Sequence, residues 1–298
     1  MIKLKECPIC SSKKIAYFMK SFDYSVSKEA FIIDTCLDCG FLFTNPRPNK
    51  EDMGSYYISE NYISHTNNKI GLFNFLYQLV RKYAIKSKTS LLTESTATKK
   101  HLDIGCGTGE FLYSCVNQGI ECYGIEPSRI AREKAKQNYG LNVTENTDLS
   151  QFETNTFDSV SMWHVLEHLY DLNGTIKKIS NIITKNGRVI IAVPNHGSLD
   201  AKLYKKWWAA WDLPIHLNHF SASNIEMLLK NYDFILEKKI GMKFDSFYVS
   251  LLSNQYKSGK KQYLKGFIVG LLSNISAFLG FTEYSSTIYI FKNKKQSS

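Results

Sequence analysis

His101-Leu102-Asp103-Ile104-Gly105-Cys106-Gly107-Thr108-Gly109-Glu110-Phe111-Leu112 decides the fold, because a short apolar run breaks into three alternate glycines and then into a helical pattern. The spacing predicts a strand, a tight loop and a helix. Glycine permits backbone angles and close approach that a side chain forbids, and the first helical turn presents unpaired N–H groups. Such a loop holds a nucleotide-like ligand against bare backbone. Roughly 20 residues on, Cys122-Tyr123-Gly124-Ile125-Glu126 reads as a second strand ending in a carboxylate, where an acid can take two ribose hydroxyls.

Two further stretches extend the pattern. Thr156-Phe157-Asp158-Ser159-Val160-Ser161-Met162-Trp163-His164-Val165-Leu166-Glu167-His168 reads as a strand and the loop after it, and Gly187-Arg188-Val189-Ile190-Ile191-Ala192-Val193-Pro194-Asn195 as the next strand. Between them, Leu172, Ile176, Ile179, Ile182 and Ile183 in Asp171–Lys185 have the spacing of a helix packed on a sheet. Together these residues resemble the class I S-adenosylmethionine-dependent methyltransferases, over residues 99–243 and again at an alternating final strand, Ser285 to Lys292. The resemblance implies an α/β fold with a Rossmann-like seven-stranded sheet and S-adenosylmethionine as cofactor. It also implies roles: Asp103 on the methionine amino group, Gly105, Cys106, Gly107 and Gly109 in the binding loop, Glu126 on the ribose, Asp148 near adenine, and Trp163 beside the cofactor. Asp103 also reads as a strand-end cap and Asp148 as a solvated turn residue. A dinucleotide dehydrogenase is the competing nucleotide reading, but its loop is G-x-G-x-x-G and here the third glycine arrives one residue early, at Gly109.

Cys7-Pro8-Ile9-Cys10 and Cys36-Leu37-Asp38-Cys39-Gly40 form two knuckles that can grip one tetrahedral ion, which predicts a structural zinc site of four thiolates. Disulfides are the alternative, but they need an oxidising compartment. Met1-Ile2-Lys3-Leu4-Lys5-Glu6 carries no apolar leader, so a cytoplasmic protein is expected. Cys106, Cys115 and Cys122 read as buried, unreactive thiols. With 298 residues, 44% hydrophobic, the chain can bury a sizeable core and exceeds one small domain. Three parts are expected: a zinc-ribbon module over 1–45, a helical linker or lid over 46–98, and the methyltransferase domain over 99–298 with an insertion around 244–284. Within the first two, Phe41 to Pro48 reads as a rigid exit, Glu51 to Ser59 as a short helix, Lys69 to Leu92 as a longer one, and Lys86 to Lys100 as the connection onward.

Two loops hold four of the seven histidines: His164 and His168 flank Glu167, and His216 and His219 follow Asp212-Leu213-Pro214-Ile215. Both loops should face the ligand cleft at the carboxyl ends of the strands. A neutral imidazole can accept a hydroxyl proton near neutral pH, which makes His168 or His216 the candidate general base; hydrogen bonding within the loops is the competing role. The same cluster, His164 with Glu167 and His168 completed by His216 or His219, also contains ligands for a divalent cation. The zinc ribbon and these histidines resemble bacterial methyltransferases acting on sugars and other polar small molecules. Nucleotide-sugar C-methyltransferases among them imply a tyrosine ahead of the core, here Tyr56 or Tyr57.

The charge pattern separates the acceptor readings. Residues 1–100 sum to +6 (15 − 9), residues 101–226 to −3 (11 − 14) and residues 227–298 to +7 (11 − 4). A basic ribbon and tail could grip RNA, but the core that would present a base is acidic, so a small-molecule acceptor is preferred over nucleic acid. A donor-binding scaffold without turnover is the reading from another class. Trp207-Trp208-Ala209-Ala210-Trp211 reads as helical packing or as a stacking platform. Gly266 to Leu279 is apolar, flanked by lysines and short for a bilayer, which predicts a buried or interface helix, with membrane-surface contact as the lesser alternative.

Overall fold

The computed structural model describes residues 1–57, 72–93 and 98–294. Three antiparallel strands open the chain: β1 (Ile15–Phe22), β2 (Ala30–Cys36) and β3 (Leu42–Thr44). A short helix, α1 (Lys50–Met53), and a 3-10 turn over Gly54–Tyr57 follow, and the long α2 (Leu72–Thr93) leads to the main sheet. Strands and helices then alternate: β4 (Lys100–Ile104), α3 (Glu110–Val116), β5 (Glu121–Ile125), α4 (Arg129–Tyr139), β6 (Val143–Thr144), β7 (Phe157–Trp163), α5 (Leu172–Ile182) and β8 (Ile183–Pro194). The rest comprises α6 (Leu199–Tyr204), β9 (Asn218–His219), α7 (Ala222–Lys230), β10 (Phe234–Gly241), α8 (Asp245–Ser258), α9 (Tyr263–Phe278) and β11 (Ser286–Asn293).

The main sheet is seven-stranded, in the order β10-β11-β8-β7-β4-β5-β6. β4 to β8 run parallel and β11 runs antiparallel between β8 and β10. This is the Rossmann-like sheet expected from the alternating strand and helix signals. Helices on both faces explain why β8 carries the unbroken apolar run Val189 to Val193, buried throughout. α5 is fixed at its start by the Asp171 side chain, which accepts from the Gly174 N–H at 2.8 Å. Its Leu172, Ile176, Ile179 and Ile182 are buried, each contributing roughly 1.5–3 kcal/mol of transfer free energy. The strand order reverses between β4 and β7, so the loops after these two strands open a crevice at the carboxyl edge.

Several local expectations are corrected. Phe41 to Thr44 is not simply an exit: β3 pairs with β2 and, through Leu42 with His219 and Phe43 with Asn218, with β9 from far along the chain. The apolar Phe41 and Phe43 bury themselves there, outweighing the nearby prolines. The helix expected over Glu51 to Ser59 is a four-residue helix followed by a 3-10 turn, and positions 58 and 59 lie outside the described residues. α2 continues through Lys86 to Thr93, so the connection to β4 is shorter than expected; Thr89 reaches back to the Ile85 carbonyl and across to Ser114, anchoring that last part. Leu72, Phe73 and Leu76 fall where side chains are outside the described residues. Ile183 begins β8 rather than ending the helix. The tryptophan segment is two 3-10 turns, because the Trp208 indole donates to the buried Asp200 and the Trp211 indole to the Lys205 carbonyl. The apolar tail helix, α9, is not buried on its bulky face.

Candidate active site

The glycine loop follows β4 as its sequence requires. Gly105 has φ 73°, and a Cβ there would lie 2.4 Å from the Val165 side chain, so no other residue fits. Gly107, at φ 56°, has open space where a side chain would stand, and its N–H donates to Glu126 Oε2 at 2.9 Å. Glu126 Oε1 accepts from the Ser128 N–H at 2.8 Å. Two backbone donors thus hold the carboxylate at the end of β5, and each oxygen keeps a lone pair for a hydroxyl. Gly109 is the N-cap of α3, and Cys106 is buried beneath the loop, where burial raises its thiol pKa.

Asp103 is buried on β4, accepting from Ser161 of β7. Ser161 in turn meets His101 Nε2 at 3.0 Å, and His101 Nδ1 meets Ser159 at 2.7 Å. Since the Ser161 hydroxyl donates to Asp103, Nε2 carries the imidazole proton. Burial depresses His101 to about 3, so it is a neutral relay. Burial lifts Asp103 to about 7 against Ser161 and the nearby Lys88 ammonium, which pull it down. Lys88, on α2, sits 4.3 Å from the Trp163 ring. The Trp163 indole N–H at the end of β7 is buried with no partner among the described residues. Asp148 lies on the surface as the cap of the turn Leu149–Gln151, and Lys178 at 2.8 Å and the Ser150 N–H hold its carboxylate down to about 2.

The histidine loops meet beside this edge. Glu167, His168 and His216 converge, with one ligand-type atom from each lying within 4.8 Å of the others. His168 Nδ1 lies 2.9 Å from the Ile215 carbonyl and His216 Nδ1 lies 2.9 Å from the Ala210 carbonyl. A carbonyl only accepts, so both Nδ1 atoms carry the proton and both Nε2 atoms keep a lone pair. Burial lowers the pKa of each, which keeps them neutral. Tyr57 brings its hydroxyl to 3.4 Å from His168 Nδ1, while Tyr56 instead donates to Glu29.

His164 and His219 do not join that trio. His164, at φ 57°, reaches Glu167 Oε1 at 3.3 Å and Asp245 Oδ2 at 3.4 Å. Burial alone would lower its pKa, but the two carboxylates outweigh it and raise it to about 9, so His164 is a cation. The contact to Glu167 is an ion pair without hydrogen-bond alignment, and both Glu167 oxygens otherwise lack partners among the described residues. His219 is held in β9, its Nε2 3.1 Å from Thr44 Oγ1.

The four N-terminal cysteines also converge. Cys7 and Cys39 Sγ atoms are 3.6 Å apart, Cys10 and Cys36 3.6 Å, and Cys10 and Cys39 3.4 Å. Four sulfurs at about 2.3 Å from one tetrahedral ion would stand ~3.8 Å apart, whereas a disulfide requires about 2.05 Å. The module is seated on the main domain: Asn224 donates to the Cys39 carbonyl at 2.8 Å and Asn173 to the Pro8 carbonyl at 2.7 Å.

Sequence reading did not assign roles to His101, Ser159, Ser161, Lys88 or Asp245. The first three had a signal, since residues two apart on neighbouring strands share a sheet face. Lys88 and Asp245 had none, being brought in by separate helices.

The sheet order, glycine loop and acid after β5 define a class I methyltransferase-type fold. The chain superposes on magnesium protoporphyrin IX methyltransferase from Synechocystis PCC 6803, solved with bound S-adenosylhomocysteine, with TM-score 0.54 and 15% identity over 82% of this chain and 100% of that one. A SAM-dependent methyltransferase from Archaeoglobus fulgidus gives TM-score 0.50 and 17% identity over 75% of this chain and 100% of that one. An uncharacterized methyltransferase of Bacillus cytotoxicus is 34% identical over 95 residues, 30% of this chain and 45% of that protein. The chain spans about half the length of the curated relatives it matches. A family model described as a methyltransferase domain matches residues 75–239, and the chain belongs to that family.

Proposed function

We propose that the protein transfers a methyl group from S-adenosylmethionine to a small polar acceptor, a sugar, nucleotide sugar or related metabolite, with a histidine as general base. The observation that carries this is the convergence of Asp103, the glycine loop and Glu126 on the same sheet edge as the neutral His168–His216 pair. S-adenosylmethionine, when bound, supplies an electrophilic methyl group on a cationic sulfur. Asp103 takes its amino group, Glu126 its ribose hydroxyls, the backbone from Gly105 to Gly109 and Cys106 pack along it, and Asp148 and Trp163 border it. With donor bound, an acceptor hydroxyl would give its proton to Nε2 of His168 or His216 as its oxygen takes the methyl group, the sulfur keeping the electron pair of the broken C–S bond and S-adenosylhomocysteine leaving. Tyr57 and Glu167 border these rings, and His164 pairs with Glu167. A narrow cavity is lined by Glu167, His216 and His196, a cleft also borders His196 with Trp207 and Trp211 on its wall, and these surfaces suit a sugar ring.

The four cysteines fit a closed structural zinc site, and thiolates serving as zinc ligands suit a reducing, cytoplasmic setting. The test is calorimetric binding of S-adenosylmethionine and S-adenosylhomocysteine to zinc-replete protein, alongside Asp103→Ala and Glu126→Ala. Micromolar binding lost in both variants supports the reading, and no binding to the intact, folded protein overturns it. A methyl-labelled donor incubated with metabolite extract or total RNA then separates small-molecule from nucleic-acid acceptors.

A second reading has one observation in its favour. Glu167, His168 and His216 could together hold a divalent cation that orients an acceptor diol. Turnover that chelator abolishes and added cation restores, in protein retaining its zinc, would select it over the metal-free base.

A further inference from the structure

We propose that the α8–α9 hairpin docks this protein on the surface of an anionic lipid bilayer. α9 is built inside out. Its bulky side chains Leu264, Phe267, Leu271, Leu272, Ile275 and Phe278 stand in solvent, between 41% and 77% exposed. A helix on the surface of a water-soluble domain carries polar residues there. The face turned toward α8 holds Gly266, Gly270 and Ser273, all buried. A Cβ on Gly266 would lie 2.9 Å from Leu251 Cα, and one on Gly270 2.8 Å from Phe247 Cα, so the two backbones meet through the glycines. α8 meets these glycines with the backbones and side chains of Phe247 and Leu251, and the Ser246 hydroxyl donates to the Gly270 carbonyl at 3.1 Å. Small residues between helices and bulky apolar ones outside is the packing that suits a lipid surround.

Charge identifies the occupant. From Ser246 to Thr282 the chain has no acidic residue and four lysines, Lys257, Lys260, Lys261 and Lys265, all exposed. They collar the start of α9. The neighbouring cleft of about 990 Å³ adds Lys20, Lys202, Lys205 and Lys206. An apolar face beside a basic collar matches an anionic headgroup layer over hydrocarbon. A second copy of the chain would present the same lysines, with no acid in this stretch to meet them. With 16 residues α9 is ~24 Å long, less than the ~30 Å hydrocarbon core, and among the described residues no helix is long and apolar enough to cross a membrane. α9 therefore lies in the plane of the interface. Asp245, the first residue of α8, is the carboxylate facing His164, so the docked hairpin adjoins the active site.

Flotation of the full-length, zinc-replete protein with vesicles of phosphatidylcholine alone, or mixed with phosphatidylglycerol, tests this directly. The intact protein should float with the mixed vesicles and lose binding as salt is raised. Flotation should fall at least about tenfold in Leu264→Ser/Leu271→Ser/Phe278→Ser and in Lys257→Glu/Lys260→Glu/Lys261→Glu. Both variants should keep the parent melting temperature, because the altered side chains face solvent. Absence of the intact protein from the mixed vesicles, or undiminished flotation of the apolar variant, overturns the proposal. So does a dimer that light scattering shows falling to monomer in the apolar variant without any vesicle binding.

Discussion

His168 and His216 meet edge to face with ring centroids 4.8 Å apart, and each commits its Nδ1 proton to a backbone carbonyl. Neither ring can turn over without losing that bond, so only the Nε2 lone pairs face chemistry. Burial also disfavours the charged form of both rings.

The ring that serves as base should lose roughly 10²- to 10⁴-fold in kcat on substitution by alanine, with donor affinity unchanged. His168→Ala and His216→Ala, assayed side by side, identify it. The base must be unprotonated, and its pKa lies below the usual 6.5, so activity should persist as pH falls to 6.5 and decline only below it. A profile that falls between pH 8 and 7 would remove both histidines from the role.

Asp103 should exchange stability for binding. Its folded pKa, about 7, lies above its ordinary value, so the folded state holds the proton more tightly and loses stability as pH rises from about 4 to 7. Asp103→Asn keeps the acceptor for Ser161 and removes that loss, which amounts to ~1.4 kcal/mol for each pH unit of displacement. The variant should melt higher than the parent at pH 8 without donor, and should not gain stability when S-adenosylhomocysteine is added. Thermal melts with and without the ligand check both halves.

His164 should give a pH dependence of the same sign over a higher range. Its folded pKa is raised to about 9, so its contribution is fully present below about 6.5 and is lost as pH rises through 9. Water reaches a third of the side chain, which limits the effect to about 1–2 kcal/mol. His164→Asn, chosen because asparagine tolerates the left-handed backbone, should flatten the decline in melting temperature between pH 7 and 9. An unchanged slope would show that the ion pairs with Glu167 and Asp245 carry no net stability.

Zinc should bind in a ratio of one per chain and should leave with any one of its ligands. Elemental analysis of Cys36→Ser is expected to show loss of the ion, and chelator treatment of the parent should lower its melting temperature by several degrees. The effect should extend beyond the module, because Phe41, Phe43 and Cys36 share one buried cluster with Phe220 and Ile225 of the main domain. Full metal content in Cys36→Ser would overturn the assignment.

The main sheet was legible because its signals are local. A buried parallel strand is an apolar run, a ligand loop needs glycine at positive φ, and the acid of Glu126 follows its strand directly. The same holds for the cysteine knuckles, whose spacing within each pair is the spacing a turn can span. The sequence by itself therefore determined the fold class and which residues could bind a donor or a metal ion. It could not determine which histidines meet, since His168 and His216 lie in separate loops and only packing sets their Nδ1 bonds. Nor could it show that His164 is taken by Glu167 and Asp245, that Lys88 of α2 sits over Trp163, or that β9 completes the N-terminal sheet. α9 makes the point most plainly: its apolar composition is equally that of a core helix, and only tertiary structure decided that glycines face inward and the bulky side chains face out. Contacts between distant segments depend on how elements pack, and no periodicity within one element records its partner.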